Sequence, residues 1–291
     1  MARCIGTFVW KWNEKIFPDC RFFPRSGAVR SSTIPLCITG PQLLLGFFLL
    51  MRGRRRPQPG PDPSWPIARK KFFLFFGACF TALLVLPIVL DAMLPIGQLS
   101  FFLPALSLGC CLSIAWRWPG LHFSSGLSPR SLPWRTVLAN SLTSYLRLTP
   151  ILFLAAVGWS LALQGLCRLG MPLVLESQEF VLALQKNSSP WFCCAALAAA
   201  TVLAPAVEEL FFRGGIHRFL RSACGASLSN WTTALAFALL HANLAAFLPL
   251  LLLSLTLGHV YEREGSIWPP MVIHGLFNLH NMALILMVGT S

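Results

Sequence analysis

The residues able to do chemistry in this chain fall into three short clusters in its last third. EELFFR supplies Glu208, Glu209 and Arg213, FALLH supplies Phe237 and His241, and HGLFN supplies His274 and Asn278. Each lies in or beside a long apolar run, where an ionisable side chain is expensive and marks function by default. On a helix Glu209 and Arg213 stand four apart with the acid first, the favourable order for an ion pair on one face. Glu208 points about 100° round the helix from Glu209, so it faces something other than Arg213. Two adjacent carboxylates divided in this way suggest one neutralised by its neighbour and one left for chemistry. His274 and Asn278 are also four apart and share a face. Pro205, just upstream, has no backbone N–H and marks a point where the helix can kink and admit water.

Taken singly, each cluster has a plainer reading. A Glu pair at a helix end is often an interfacial charge, a lone His in an apolar helix is usually a hydrogen-bonded core residue, and Asn278 could simply join two helices. Depth tells against coincidence. At a rise of about 1.5 Å per residue, Glu208 lies roughly 6 Å from the basic-side end of its segment, His274 roughly 9 Å, and His241 and Asn278 roughly 15 Å. Three clusters in order and at one level point to a shared site. The remaining polar residues carry no such pattern. His217, with Arg218 and Arg221, reads as a loop or headgroup contact, His259 as interfacial, Asp91 and His280 as outer-surface groups, and His122 as a loop residue.

The elements that must position these groups are transmembrane helices. Hydrophobic residues make up 55% of the 291 positions and charged residues only 11%, against about 25% charged in a typical soluble domain. The apolar residues come in runs long enough to cross a bilayer, which takes about 20 residues. Seven such segments are expected: Phe72–Leu94, Leu99–Ala115, Leu148–Leu166, Trp191–Phe212, Asn230–Leu248, Leu250–Tyr261 and Trp268–Val288. The Leu250–Tyr261 segment is short and should begin earlier, at its neighbour's expense. Pro35, Gly40 and Pro41 interrupt an eighth, Ile34–Met51, and leave its crossing open. The fold class is therefore all-α, a polytopic helical bundle of seven or eight spans. It divides into a basic, Pro-rich segment (1–71), an N-terminal membrane region (72–189) and a C-terminal region carrying the chemistry (190–291).

The net charge of +13 is distributed between the apolar runs. Arg52, Arg54, Arg55, Arg56, Arg69, Lys70 and Lys71 fill one loop, Arg117, Arg130 and Arg135 the next on that side, and Arg213, Arg218 and Arg221 a third. By the positive-inside rule these loops are cytoplasmic. The segment 171–190, with Glu176, Glu179 and a single Lys186, is expected outside. The first fifty residues break the alternation, since they carry Arg3, Lys11, Lys15, Arg21, Arg25 and Arg30. Either Ile34–Met51 does not cross, or the chain naturally starts at Met51. That stretch has no clean apolar core before a small-residue cleavage site, so it is not read as a signal peptide. The expected setting is a bacterial inner membrane, with the site toward the cytoplasmic half.

The same features exclude other classes. Basic residues anchored at lipid headgroups, without interleaved aromatics, leave no nucleic-acid footprint. Ten cysteines form no CxxC pair, and several sit in apolar runs as small hydrophobes. A proton-relay transporter would be expected to show paired halves or interrupted helices in corresponding positions, and neither is visible.

At the three clusters the sequence resembles the CPBP family, which includes the CAAX prenyl endopeptidases and bacterial relatives, some linked to bacteriocin self-immunity. EELFFR, FALLH and HGLFN match the family pattern EExxxR, FxxxH and HxxxN in order, within about Trp191 to Met287. The resemblance implies hydrolysis of a peptide bond by water held inside a helical bundle. Glu208 would be the general base, His241 would help position the water, and His274 with Asn278 would stabilise the oxyanion. Glu209, Arg213 and Phe237 would support them. The implied partners are membrane lipids and a membrane-associated peptide or protein. No cofactor is expected: the HExxH zinc signature is absent, and Glu208, His241 and His274 could ligate zinc only if the fold converged them. The alternative is a non-catalytic immunity or scaffolding protein on the same fold.

Overall fold

The computed structural model describes residues 33–52, 65, 67–93, 102–124, 126–128, 130–171 and 189–289. Among them every regular element is helical. Helix α1 spans Thr33–Met51, α2 Arg69–Met93, α3 Leu103–Arg117 and α4 Trp134–Arg168. The stretch Pro190–Leu240 is helical except at Gly225, whose φ of 82° and ψ of 169° lie where only glycine is comfortable. It is therefore two helices, α5 over residues 190–224 and α6 over 226–240. Helix α7 spans Phe247–Glu264 and α8 Trp268–Gly289. The first 32 residues, Arg54, Arg55, Arg56, Glu176, Glu179 and Lys186 lie outside the described residues.

Among the described residues, four helical stretches are long and apolar enough to cross a membrane: Arg69–Met93, Trp134–Arg168, Pro190–Leu240 and Leu244–Glu264. Thr39–Met51 and Leu103–Arg117 are shorter apolar helices. Among the described residues each expected segment coincides with a helix, with shifted limits. Helix α4 begins at Trp134 rather than Leu148, because its first turns are amphipathic and bury Val137, Ser141, Ser144 and Tyr145. The interrupted segment at Ile34–Met51 forms α1 despite Pro41. It docks on α4 through Gly46, where a Cβ would overlap the Leu146 carbonyl and lie 2.7 Å from Pro150 Cδ.

The largest departure is between Arg213 and Ser229. The three arginines in this stretch predict a cytoplasmic loop, but α5 continues through it and Arg213, His217 and Arg218 are buried. Each has polar partners within the fold, Glu209 and Ser254 for Arg213, Glu262 for His217 and the Phe123 carbonyl for Arg218, which makes burial possible. The reversal comes only at Gly225, after which α6 runs back along α5. Ser229 Oγ lies 3.2 Å from His217 Nδ1, and the Phe237 and Phe212 rings are 5.0 Å apart. Helix α6 stops at Leu240, and Ala242 (φ 45°) turns the chain. Asn243 Oδ1 then accepts from Ala246 N–H at 3.1 Å to start α7. That end is nearer than Leu248, and α7 begins correspondingly earlier than Leu250.

Because α5 does not end at Phe212, the 6 Å depth for Glu208 no longer holds. Helix α7 supplies a better ruler. Glu262, on the charged rim with Arg221, is eight residues from Ser254, which meets Arg213. That separation is about 12 Å of helix.

The core surrounding these helices is aromatic. Trp65, just before α2, is 2% exposed, and its ring stands edge-on to Phe72, Phe75 and Phe123 at 5.3–6.5 Å. Its Nε1–H donates to the Leu121 carbonyl at 2.9 Å, and the Arg218 guanidinium lies 5.6 Å from its ring. Arg218 also donates to the Phe123 carbonyl at 2.9 Å. Gly126, at φ 74°, comes so close to this guanidinium that a Cβ would stand 2.9 Å from Nη2.

Candidate active site

The three clusters meet where α5, α6 and α8 pack together. Glu208 and Glu209 sit on α5 between two π-helical turns, Ala199–Leu203 and Leu210–His217. Such wide turns inside α-helices are rare and accompany functional sites. Glu209 and Arg213, four residues apart, are in contact, with Arg213 Nη1 donating to Glu209 Oε1 at 2.9 Å. The expected ion pair is present, and both partners are buried. The other Arg213 nitrogen, Nη2, donates to the Ser254 carbonyl at 2.7 Å and to its hydroxyl at 2.6 Å. Ser254 is one of two hydroxyl residues, with Thr256, within an apolar run, and nothing in its spacing marked it beforehand.

His274 extends this chain. Its Nδ1 lies 2.9 Å from Glu209 Oε1, so the carboxylate oxygen accepts from both the guanidinium and the imidazole. A carboxylate cannot donate, so the proton between them belongs to Nδ1. The far nitrogen, Nε2, faces Glu208 Oε2 at 3.8 Å. On the other side His241 Nε2 lies 3.9 Å from the same oxygen. His241 closes α6 as its last helical contact, and its Nδ1–H donates to the Phe237 carbonyl at 2.7 Å. Because a carbonyl can only accept, that bond keeps a proton on Nδ1 and turns Nε2 toward Glu208.

Phe237 is fully buried at the centre. Its ring centroid lies 4.4 Å from that of His241 and 5.6 Å from that of His274, and the Arg213 guanidinium carbon is 5.3 Å from it. The ring thus touches the guanidinium and both imidazoles, while Glu209 bridges Arg213 and His274 directly. Asn278, one turn beyond His274, donates from Nδ2 to the Ala200 carbonyl at 2.8 Å. Glu208, Glu209, Arg213, Phe237, His241 and His274 are therefore joined in one constellation, and Asn278 lies one turn along α8 from it, bonded to α5.

Exposure divides them as the helix geometry suggests. Glu209, Arg213 and His274 are buried, whereas Glu208 and His241 keep 26% and 25% of their side-chain surface open. Glu208 Oε2 itself has no hydrogen-bond partner and is buried, pointing inward between the two histidines. Among the described residues no group of three or more His, Cys, Asp or Glu side chains is arranged to hold a metal ion.

A second polar cluster lies along α5 toward the Gly225 turn. His217 Nε2 is 2.9 Å from Glu262 Oε1, which also accepts from Arg221 Nε at 2.9 Å. His217 is wholly buried rather than in contact with headgroups. His280 likewise is buried against Tyr145, with ring centroids 6.5 Å apart, instead of near the outer surface. Both are core residues of helix interfaces, and neither touches Glu208.

Comparison with known proteins adds a family. Residues 189–280 match the family described as type II CAAX prenyl endopeptidase Rce1-like, in the region that carries all three clusters. The match is consistent with the CPBP, or CAAX-protease, family, as the motifs led one to expect. No curated protein and no solved structure matches the chain.

Proposed function

Because the C-terminal region is of the CAAX-protease type, we propose that the chain is an intramembrane endopeptidase in which Glu208 activates water. The single observation that carries this reading is the convergence of two histidine Nε2 atoms on Glu208 Oε2, at 3.8 and 3.9 Å. Glu208 and the neutral His241 both present acceptors across a gap too long for a direct hydrogen bond. A water donating one hydrogen to each spans it and keeps a lone pair free for attack. Glu208 takes the proton nearest to it as the water oxygen adds to the scissile carbonyl. It then returns that proton to the leaving nitrogen as the C–N bond breaks, so the carboxylate is regenerated. Such a positioned base contributes about 10²–10⁴-fold.

His274 serves the oxyanion. Its Nδ1–H is held by Glu209, so Nε2 donates to a developing negative charge only in the doubly protonated ring. Glu209, itself tied to Arg213, keeps the ring in its orientation. Asn278 has one N–H engaged by Ala200 and a second available. Each such donor is worth about 3 kcal/mol in a water-poor site. The chemistry belongs to side chains alone in this reading.

The substrate is a membrane-associated protein or peptide. On the helical ruler of α7, Ser254, which meets Arg213, is about 12 Å from Glu262, and this supports a site in the half of the bundle nearer the basic side. Substrate therefore comes from the cytoplasmic half. The test compares membrane proteomes of cells carrying the wild type and Glu208→Ala, seeking fragments present only with the wild type. Identical profiles at equal protein levels would favour the non-catalytic immunity or scaffolding reading.

A further inference from the structure

We propose that Pro205 is a positioning residue for this site: by withholding one backbone donor it opens the turn of α5 on which α8 is registered and Asn278 is oriented. The Ala204 N–H bonds to the Ala199 carbonyl, five residues back, in the π-helical turn Ala199–Leu203. Continuing that pattern, the Ala200 carbonyl would look to the amide of residue 205. In an ordinary α-turn the Thr201 carbonyl would look to the same amide. Proline has none. Two successive carbonyls are thus released on the face of α5 that meets α8.

Helix α8 uses both. Asn278 Nδ2 donates to the Ala200 carbonyl at 2.8 Å. The Thr201 carbonyl approaches the backbone at Gly275, where a Cβ would stand 2.5 Å from the oxygen. The Thr201 hydroxyl takes no part, since it donates to the Leu197 carbonyl at 2.7 Å. Gly275 is the neighbour of His274 and lies three residues from Asn278. The two contacts therefore clamp the very turn of α8 that presents the imidazole to Glu208 and Glu209. A residue with an amide at 205 closes the α5 turn on itself, removes the acceptor that aims Asn278, and lets α8 shift against Glu208.

A double-variant cycle on the full-length protein in lipid nanodiscs tests this, with Pro205→Ala, Asn278→Ala and the pair. Its first arm reads thermal unfolding and does not depend on catalysis. Asn278→Ala alone leaves the half-buried Ala200 carbonyl without a donor and lowers the midpoint by a few degrees. In the Pro205→Ala background the new backbone amide at position 205 supplies that donor, so the same change has little further effect. Midpoint shifts that simply add overturn the proposal.

The second arm rests on the peptidase reading and measures cleavage of a substrate fragment found in the proteome comparison. Pro205→Ala is expected to lower kcat about 10- to 100-fold with KM within about twofold, because a small displacement of a catalytic group is enough for such a loss. The pair should be no worse than Asn278→Ala alone. An unchanged kcat in Pro205→Ala overturns the positioning role. Absence of cleavage by the wild type counts against the peptidase reading instead, while the unfolding cycle still decides the role of Pro205.

Discussion

Glu208 and Glu209, adjacent in sequence, meet the same imidazole from opposite ends: His274 Nδ1 is 2.9 Å from Glu209 Oε1 and Nε2 is 3.8 Å from Glu208 Oε2. The pair is therefore not redundant. Glu209 is closed off by Arg213 and the protein interior, whereas a quarter of Glu208 is open.

This asymmetry predicts two different failures. Glu208→Gln keeps the shape and removes only the base, so cleavage should fall by about 10²–10⁴-fold with the unfolding midpoint unchanged. Glu209→Gln leaves the Arg213 guanidinium buried without its counter-charge. Loss of one partner from a buried pair costs roughly 3–5 kcal/mol, so this variant should lose stability as well as activity. Thermal unfolding and a cleavage assay on the two purified proteins separate the cases. Equal stability losses would mean that Glu208, too, is structural.

Metal dependence gives an independent prediction. Glu208 Oε2, His241 Nε2 and His274 Nε2 face one another, but at 3.8–3.9 Å, and His274 Nδ1 is already engaged by Glu209. If Glu208 acts as a base on water, incubation with a zinc chelator followed by gel filtration leaves cleavage intact. Activity lost on chelation and recovered with added zinc would replace the glutamate mechanism with a metal-centred one.

The legible part of this protein was which polar residues come together, and the reason is periodicity. Glu209 and Arg213, and His274 and Asn278, each repeat at helical spacing, so their shared faces follow from 3.6 residues per turn. What spacing could not supply was the boundary between helix and loop. Arg213, Arg218 and Arg221 look like a loop because an unpaired cation is costly within a membrane. In the fold each of them has partners: Glu209 and Ser254, the Phe123 carbonyl and Trp65, and Glu262. Most of those partners are far away in the chain, beyond any local pattern. Gly225, the true reversal, sits in a stretch of small and polar residues that continues a helix as readily as it ends one. His217 was misplaced for the same reason, since its neighbours Ser229 and Glu262 come from two other helices.

That second cluster should matter for stability but not for the reaction. His217 ties α5 to both α6 and α7, and it makes no contact with Glu208. His217→Ala removes the links to Ser229 and Glu262, each worth about 0.5–1.5 kcal/mol, and opens a cavity beside Tyr261. The expected result is a lower unfolding midpoint with kcat retained at a temperature where the protein is folded. A fall in kcat without loss of stability would instead assign His217 a part in the chemistry.

Gly225 sets the whole arrangement, because α6 can bring His241 back to Glu208 only if the chain reverses there. Its φ of 82° with ψ of 169° belongs to a region that a side chain makes costly by about 1–3 kcal/mol. Alanine also favours continuing α5 straight on, so the strain and the helix preference act in the same direction. Gly225→Ala should therefore lower the unfolding midpoint and abolish cleavage together. Gly158, in α4, is the control: an added Cβ there meets nothing within 4 Å and its backbone is helical. Gly158→Ala should leave cleavage unchanged and raise stability by about 0.5–1 kcal/mol. If Gly225→Ala melts and cleaves like the wild type, the reversal between α5 and α6 does not depend on this residue, and the route that carries His241 to Glu208 must be different.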